Sequence, residues 1–108
     1  TADSADVPLK SVYAGDPMMT DLITKFVSSL HSYCDDINDG IQTSDLTIAQ
    51  RRAHQLAGAG GSYGYSAVTE TAHALEIAIH NGDPVRVLLE HLRELTILEK
   101  RARLGLDK

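Results

Sequence analysis

A histidine inside a glycine-rich helical segment is the residue of this sequence best suited to chemistry. The segment runs from Arg51 to Gly64 and reads RRAHQLAGAGGSYG, with His54 as its imidazole. At 3.6 residues per turn, His54 falls roughly 140° from the centre of the segment's apolar stripe, so its ring is predicted to point to solvent. Imidazole is largely neutral and nucleophilic near pH 7. An exposed ring can therefore accept a phosphoryl group and pass it on as a reactive phosphoramidate.

Four glycines crowd the end of this segment: Gly58, Gly60, Gly61 and Gly64. An interior helical glycine costs about 1 kcal/mol relative to alanine, so the set costs roughly 2–4 kcal/mol of stability. Gly60 lies on the apolar stripe and is predicted to let a neighbouring helix approach, while Gly64 is predicted to end the helix. Gly58 and Gly61 lie at i+4 and i+7 from His54, so they are predicted to clear space around its ring for a partner.

Four amphipathic helices are predicted to position this segment. Their predicted limits are Asp16-Pro17 to Asn38-Asp39-Gly40, near Asp45 to about Tyr63, Ser66 to His80, and from Asp83-Pro84 onward. The apolar face predicted for the first helix comprises Met19, Leu22, Phe26, Leu30, Tyr33 and Ile37. Short loops and the lack of period-two alternation predict an all-α fold, an antiparallel up-and-down four-helix bundle. Residues 1–12 are predicted to form a linker or entry arm and residues 13–106 the bundle.

Composition limits the partners and the compartment of the chain. With 108 residues and a formal net charge of −5, it is predicted to be one domain that does not bind nucleic acid. Cys34 is the only cysteine, which fits a reducing compartment and a buried apolar role. No apolar run approaches the ~20 residues needed to cross a bilayer. We therefore expect a cytoplasmic location, with any membrane contact made only by a kinase to which the domain is tethered.

The segment around His54 resembles the motif of histidine phosphotransfer (HPt) domains. That motif is His-x-Leu-Lys-Gly, followed by small residues and a Gly-Phe or Gly-Tyr helix break. Here residues 54–58 read HQLAG and residues 59–65 read AGGSYGY. The flanks, such as the AHALE at residues 72–76, are similar to the HPt modules of bacterial hybrid histidine kinases. The resemblance covers roughly residues 9–104.

The resemblance implies a role in a two-component phosphorelay. His54 would be the phosphoacceptor, and helices two and three would dock a receiver (response regulator) domain whose aspartate donates or accepts the phosphoryl group. The domain would be a phosphotransfer intermediate with no complete active site and no cofactor of its own, Mg²⁺ being expected on the receiver. It would act free or within a parent hybrid histidine kinase chain. Residues expected beside the phosphoryl group or in the docking surface are Arg51, Gln55, Ala57, Gly58 and Gly61.

One position departs from the family pattern. Ala57 stands where the motif has lysine, whose ammonium group would lie beside the phosphoryl group. The absence of this lysine predicts weaker stabilisation of the charge on the phosphoryl group. Arg51 lies at i−3 from His54 on the same outer face, and we hypothesise that it partly replaces the missing cation. A plain solvated arginine is the alternative interpretation.

Three alternatives to the relay remain open from the residues alone. A docking module would bind a receiver without efficient phosphotransfer, and a structural adaptor would do neither. A metal site is the third, because His73, Glu76 and His80 stand at i, i+3 and i+7 and Glu70 precedes His73 at the Glu-x-x-His spacing. Di-iron bundles need two such pairs facing inward, and this sequence has one, on an outward face. The sequence therefore argues against a metal site.

Overall fold

The computed structural model describes residues 6–106, which form four α-helices and no strand. Helix α1 spans Thr20–Gln42, α2 spans Leu46–Ser62, α3 spans Ser66–His80 and α4 spans Val85–Leu106. The second and third helices have the predicted limits, with Asp45 and Tyr63 flanking α2. Across residues 6–106, no helix combines the length and apolar character needed to span a membrane.

The helices pack in a ring. The backbone of each helix lies close to those of its two neighbours, in the order α1, α2, α3, α4 and back to α1, and the diagonal pairs of the described helices lie farther apart. Loops of three or four residues join them, so consecutive helices run antiparallel. The predicted all-α four-helix bundle is confirmed. Burial of aliphatic side chains supplies most of its stability, and the largest fully buried ones are Val27, Leu30, Ile37, Leu56, Val68, Leu75 and Leu88.

The predicted start of the first helix at Asp16-Pro17 is wrong. Helix α1 begins at Thr20, and its N-cap residue Met19 makes no side-chain capping bond. Asp16 Oδ1 instead accepts a hydrogen bond from the Met18 amide at 2.9 Å, and the Asp16 carbonyl accepts one from the Met19 amide at 2.9 Å. The aspartate satisfies the amides of a turn rather than those of the helix, so a separate turn precedes α1.

The buried face of α1 is also wider than the predicted stripe. Leu22, predicted to face the core, is 45% exposed, whereas its neighbour Ile23 is 4% exposed and Val27 is 1% exposed. Helix α1 packs against both α2 and α4. A helix with two neighbours must bury two adjacent stripes, and a single i, i+4 series misses one of them.

Asn38-Asp39-Gly40 does not end α1, which continues to Gln42. Gly40 is buried inside the helix, where a Cβ atom would lie 2.8 Å from the Asp45 carbonyl oxygen and 3.0 Å from the Ala49 Cβ. Its lack of a side chain lets the start of α2 lie directly on the end of α1. The chain reverses at Ser44, which has a φ of 62°. This glycine therefore serves helix packing, not helix termination.

The segment before α1 is packed against the loop between α2 and α3. Ser11 is 5% exposed, and its hydroxyl donates a hydrogen bond to the Tyr63 carbonyl at 2.6 Å. The Val12 amide donates to the Gly64 carbonyl at 3.0 Å. Gly64 has a φ of +84°, and a side chain there would collide with Ser11. The loop that ends the His54 helix is therefore held by the N-terminal segment as well as by its own turn.

Cys34 is buried on α1, as its position in the apolar pattern predicts. Burial, together with the nearby Glu99 carboxylate, raises the pKa of its thiol to about 11. Both effects disfavour the thiolate, which is the reactive form. Cys34 therefore behaves as a small apolar side chain at neutral pH.

Candidate functional site

His54 lies in the middle of α2 with its ring directed to solvent. Its side chain is 74% exposed. Ala53 and Leu56 on the same helix are completely buried against the neighbouring helices. The helical rotation that buries these two residues turns the imidazole outward, which confirms the direction predicted from the sequence. The ring is thus open to a partner.

A carboxylate on the neighbouring helix holds one nitrogen of this ring. His54 Nδ1 lies 2.8 Å from Glu76 Oε2. Glu76 is on α3, and its side chain is only 21% exposed, so its position is restricted. From the sequence, Glu76 was predicted to have a possible role only as a metal ligand beside His73 and His80, so its contact with His54 was missed. The predicted hairpin of the second and third helices could have revealed this contact. His54 and Glu76 are about equally far from the loop at residues 63–65, and antiparallel helices bring such residues close together.

The pairing with Glu76 determines which ring nitrogen is free. A carboxylate accepts hydrogen bonds, so the proton of a neutral His54 ring resides on Nδ1. Nε2 then carries the lone pair, on the opposite side of the ring. The site therefore presents one oriented nucleophilic nitrogen at the surface of the bundle.

Close contact between α2 and α3 sets this geometry. The Thr69 hydroxyl on α3 donates a hydrogen bond to the Ala57 carbonyl on α2 at 2.6 Å. Gly60 permits the approach, because a Cβ atom there would lie 2.7 Å from Thr69 Oγ1 and 3.0 Å from the Thr69 backbone nitrogen. This contact lies less than two helical turns from His54 and fixes the register that brings Glu76 beside it.

The glycines of α2 predict opposite responses to alanine. Gly60→Ala is expected to destabilise the fold by about 1–3 kcal/mol, because the added methyl collides with α3. Gly58→Ala is the matched control and is expected to stabilise it by up to about 1 kcal/mol, since a Cβ there meets nothing within 4 Å. Urea unfolding followed by circular dichroism measures both. Equal effects of the two substitutions would contradict this account of the α2–α3 contact.

Two glycines leave part of the α2 surface on the C-terminal side of His54 without side chains. Gly58 and Gly61 are both exposed, and the only contact a Cβ on Gly61 would make is with Thr69 Oγ1 at 3.5 Å. Their missing side chains leave room beside the imidazole for an incoming group. The described fold does not require a glycine at position 58, and the predicted role of Gly58 and Gly61 beside a docked partner stays untested.

The residues considered for a metal site do not converge. Within residues 6–106, no three histidine, cysteine or acidic side chains are placed to hold one ion. Glu76 is instead engaged by two imidazoles, His54 at 2.8 Å and His73 at 3.8 Å. The geometry is that of a carboxylate that orients imidazole.

Comparison with known protein families decides the class to which this bundle belongs. The family model described as "Hpt domain" matches residues 21–102, from the first turn of α1 to near the end of α4. The chain belongs to the HPt domain family. HPt domains transfer phosphoryl groups through histidine in two-component phosphorelays and interact there with receiver domains. Comparison with curated proteins and with solved structures gave no significant match.

This HPt domain places Ala57 and Arg51 on different sides of His54. Ala57 is half-buried at the contact with α3, with its carbonyl bonded to Thr69. Arg51 is exposed and makes no ion pair or hydrogen bond with any described side chain. A guanidinium without a fixed partner can turn toward a new negative charge on His54. Its role beside the phosphoryl group stays a prediction.

Gln55 of the HPt domain faces α1 rather than α3. Its Oε1 accepts a hydrogen bond from Arg52 at 2.8 Å. The Arg52 guanidinium lies 4.0 Å from the centre of the Tyr33 ring on α1. Arg52 Nε is 2.9 Å from Asp36 Oδ2, an ion pair in which the N–H is not aimed at the oxygen. Gln55 thus lies at the α1 edge of the His54 surface, and its predicted docking role stays untested.

Proposed function

We propose that this HPt domain carries a phosphoryl group on Nε2 of His54 and exchanges it with the aspartate of a receiver domain. The observation that supports this most is the pairing of the exposed ring with Glu76, which leaves a single nitrogen as nucleophile. The domain would serve the relay either free or as part of a parent hybrid histidine kinase chain.

The transfer needs no proton acceptor at the nucleophile. Nε2 of neutral His54 attacks the phosphorus of the receiver's aspartyl phosphate, a new N–P bond forms and the bond from phosphorus to the aspartate oxygen breaks. The aspartate leaves as a carboxylate. The phosphorylated imidazole keeps its proton on Nδ1 and becomes cationic. The return transfer is the same exchange in reverse.

Glu76 would stabilise the phosphorylated form. Its carboxylate faces Nδ1, so it offsets the positive charge that the ring gains when Nε2 is phosphorylated. The arrangement is similar in kind to the aspartate that orients and supports the histidine of a hydrolytic triad. The receiver would supply Mg²⁺ and the remaining charge stabilisation, so the bundle needs no cleft of its own.

The outer face of α2 and α3 suits this encounter. Because Gly58 and Gly61 carry no side chains, the acidic edge of the receiver's active site would be able to approach Nε2. The guanidinium of Arg51, which pairs with no described side chain, adds local positive charge to a chain whose formal net charge is −5. We therefore place the receiver docking surface on these two helices around His54.

A second candidate function rests on Ala57. A methyl group replaces the ammonium that the family motif supplies at this position, and Ala57 is half-buried. A domain that lacks that charge can still dock a receiver while transferring phosphate poorly. In that case the chain would be a docking module that limits the availability of the receiver.

One labelling experiment separates these functions. The domain is incubated with a panel of receiver domains carrying radiolabelled aspartyl phosphate, and binding is measured in parallel by calorimetry. The relay predicts label that is acid-labile and base-stable, as expected of a phosphoramidate. Binding without label would favour the docking module and overturn the relay. Neither binding nor label with any receiver of the panel would leave a structural adaptor.

Charge near the phosphoryl group gives a directional prediction. Ala57→Lys is expected to speed phosphoryl uptake about threefold to tenfold, because a cation beside the transferring group stabilises its charge. Arg51→Ala is expected to slow uptake about twofold to fivefold if Arg51 supplies part of that charge. Labelling quenched at successive times gives the rate for both variants, and Arg93→Ala on the distant α4 is the control. An unchanged rate for Arg51→Ala would leave Arg51 as a solvated side chain.

A further inference from the structure

Glu76 is shared between two imidazoles, and the second one has no role in the transfer described above. Oε2 of Glu76 faces His54 Nδ1 at 2.8 Å, and Oε1 faces His73 Nδ1 at 3.8 Å. His73 lies on α3 one turn before Glu76, and its side chain is 63% exposed. The two oxygens of one carboxylate thus point to two different rings.

Burial restricts the position of the Glu76 side chain, but a single hydrogen bond does not fix the rotation of its carboxylate, because the last torsion of a glutamate is broad. The side chain of Glu76 has three rotatable bonds, and the structure gives it no hydrogen bond to any described residue other than the one with His54. The only other charged or titratable side chain within ion-pair distance among residues 6–106 is His73. If His73 were absent, Glu76 could turn Oε2 toward solvent, and His54 Nδ1 would lose its partner.

The position of His73 along the helices supports the same role. On α3, Thr69 contacts the Ala57 carbonyl and Glu76 contacts His54, and His73 lies between these two points. His73 therefore lies opposite the part of α2 between His54 and Ala57, the position where the family motif has a lysine.

We propose that His73 is a positioning residue for the phosphoacceptor. By facing Oε1 of Glu76, it keeps Oε2 on Nδ1 of His54 and so holds the His54 proton on Nδ1 and the lone pair on Nε2. The inference rests on the proposed phosphotransfer through His54 and adds a residue that acts only through Glu76.

The test compares His73→Ala with His80→Ala, the same substitution two helical turns further along α3. His80 is exposed and makes no ion pair with a described residue, so it is the matched control. Two readouts are used: nitrogen NMR of the His54 ring, which reports the tautomer, and the rate of labelling by phosphoramidate. This small donor needs no docking surface. Its N–P bond breaks as the bond to Nε2 forms, and ammonia leaves with the proton that the donor already carries.

His73→Ala is expected to lower the labelling rate about threefold to tenfold and to raise the share of the tautomer protonated on Nε2. His73→Gln is expected to restore most of both, because an amide N–H can donate to Glu76. His80→Ala should stay within about twofold of the unsubstituted chain. In a chain already carrying Glu76→Ala, His73→Ala should add no further loss, since the effect passes through Glu76.

A wild-type tautomer and rate in His73→Ala would overturn the proposal, as would a full additional loss in the Glu76→Ala background. Failure of the proposed function has a different signature. In that case the unsubstituted domain takes no label from phosphoramidate or from a receiver, while the NMR measurement still reports whether His73 controls the His54 tautomer.

Discussion

Replacement of His54 by glutamine is expected to abolish phosphoryl uptake while leaving the bundle folded. The glutamine amide has no nucleophilic nitrogen, so labelling should fall at least about 1,000-fold, to the background of the assay. His54 is largely exposed and contributes nothing to the core. The free energy of unfolding should therefore change by no more than about 0.5 kcal/mol. Labelling by a phosphorylated receiver measures the first effect, and thermal unfolding measures the second.

His91→Gln is the matched control for this experiment. His91 is a partly exposed histidine on α4, and no described side chain forms an ion pair with it. It should be labelled as fast as the unsubstituted domain. Label that persists in His54→Gln would show that another histidine carries the phosphoryl group, and the assignment to His54 would then be wrong.

Removal of the Glu76 carboxylate should produce the second largest effect. Glu76→Ala is expected to slow transfer about 10- to 100-fold, the range typical of a group that orients a reacting imidazole. Without the 2.8 Å contact, the ring can rotate and its proton can move to Nε2, the atom that must attack. Single-turnover labelling gives the rate, and nitrogen NMR of the His54 ring gives the tautomer.

Glu76→Gln separates orientation from charge. The amide oxygen can still accept the Nδ1 proton, so the tautomer should be kept, but the negative charge that supports the phosphorylated ring is lost. We expect an intermediate loss of about threefold to tenfold. If both variants transfer at the unsubstituted rate, Glu76 has no part in the reaction, and the 2.8 Å contact is only a surface hydrogen bond.

Helical periodicity and short loops were sufficient to predict the fold, and periodicity also predicted the direction of His54. Apolar residues at helical spacing predicted four helices, and the same spacing set His54 opposite the stripe that contains Ala53 and Leu56. These predictions succeed because burial of apolar surface depends on which face of a helix a residue occupies, and that face is determined locally. The turn signals were less reliable. Asp16-Pro17 and Asn38-Asp39-Gly40 both suggested helix ends, but Asp16 caps a separate turn before α1, and Gly40 lies inside α1 where α2 packs on it.

Only the tertiary structure decided the partners of His54. Glu76 is 22 residues away along the chain, and its contact depends on the register of α2 against α3. That register is set by Gly60 and Thr69, where a missing side chain and one hydroxyl let the backbones approach. Local patterns report the face of a helix but not how far one helix slides along another. The sequence by itself therefore determined that an imidazole stands outside the bundle, and the packing of α2 on α3 decided which of its nitrogens faces a carboxylate and which does not.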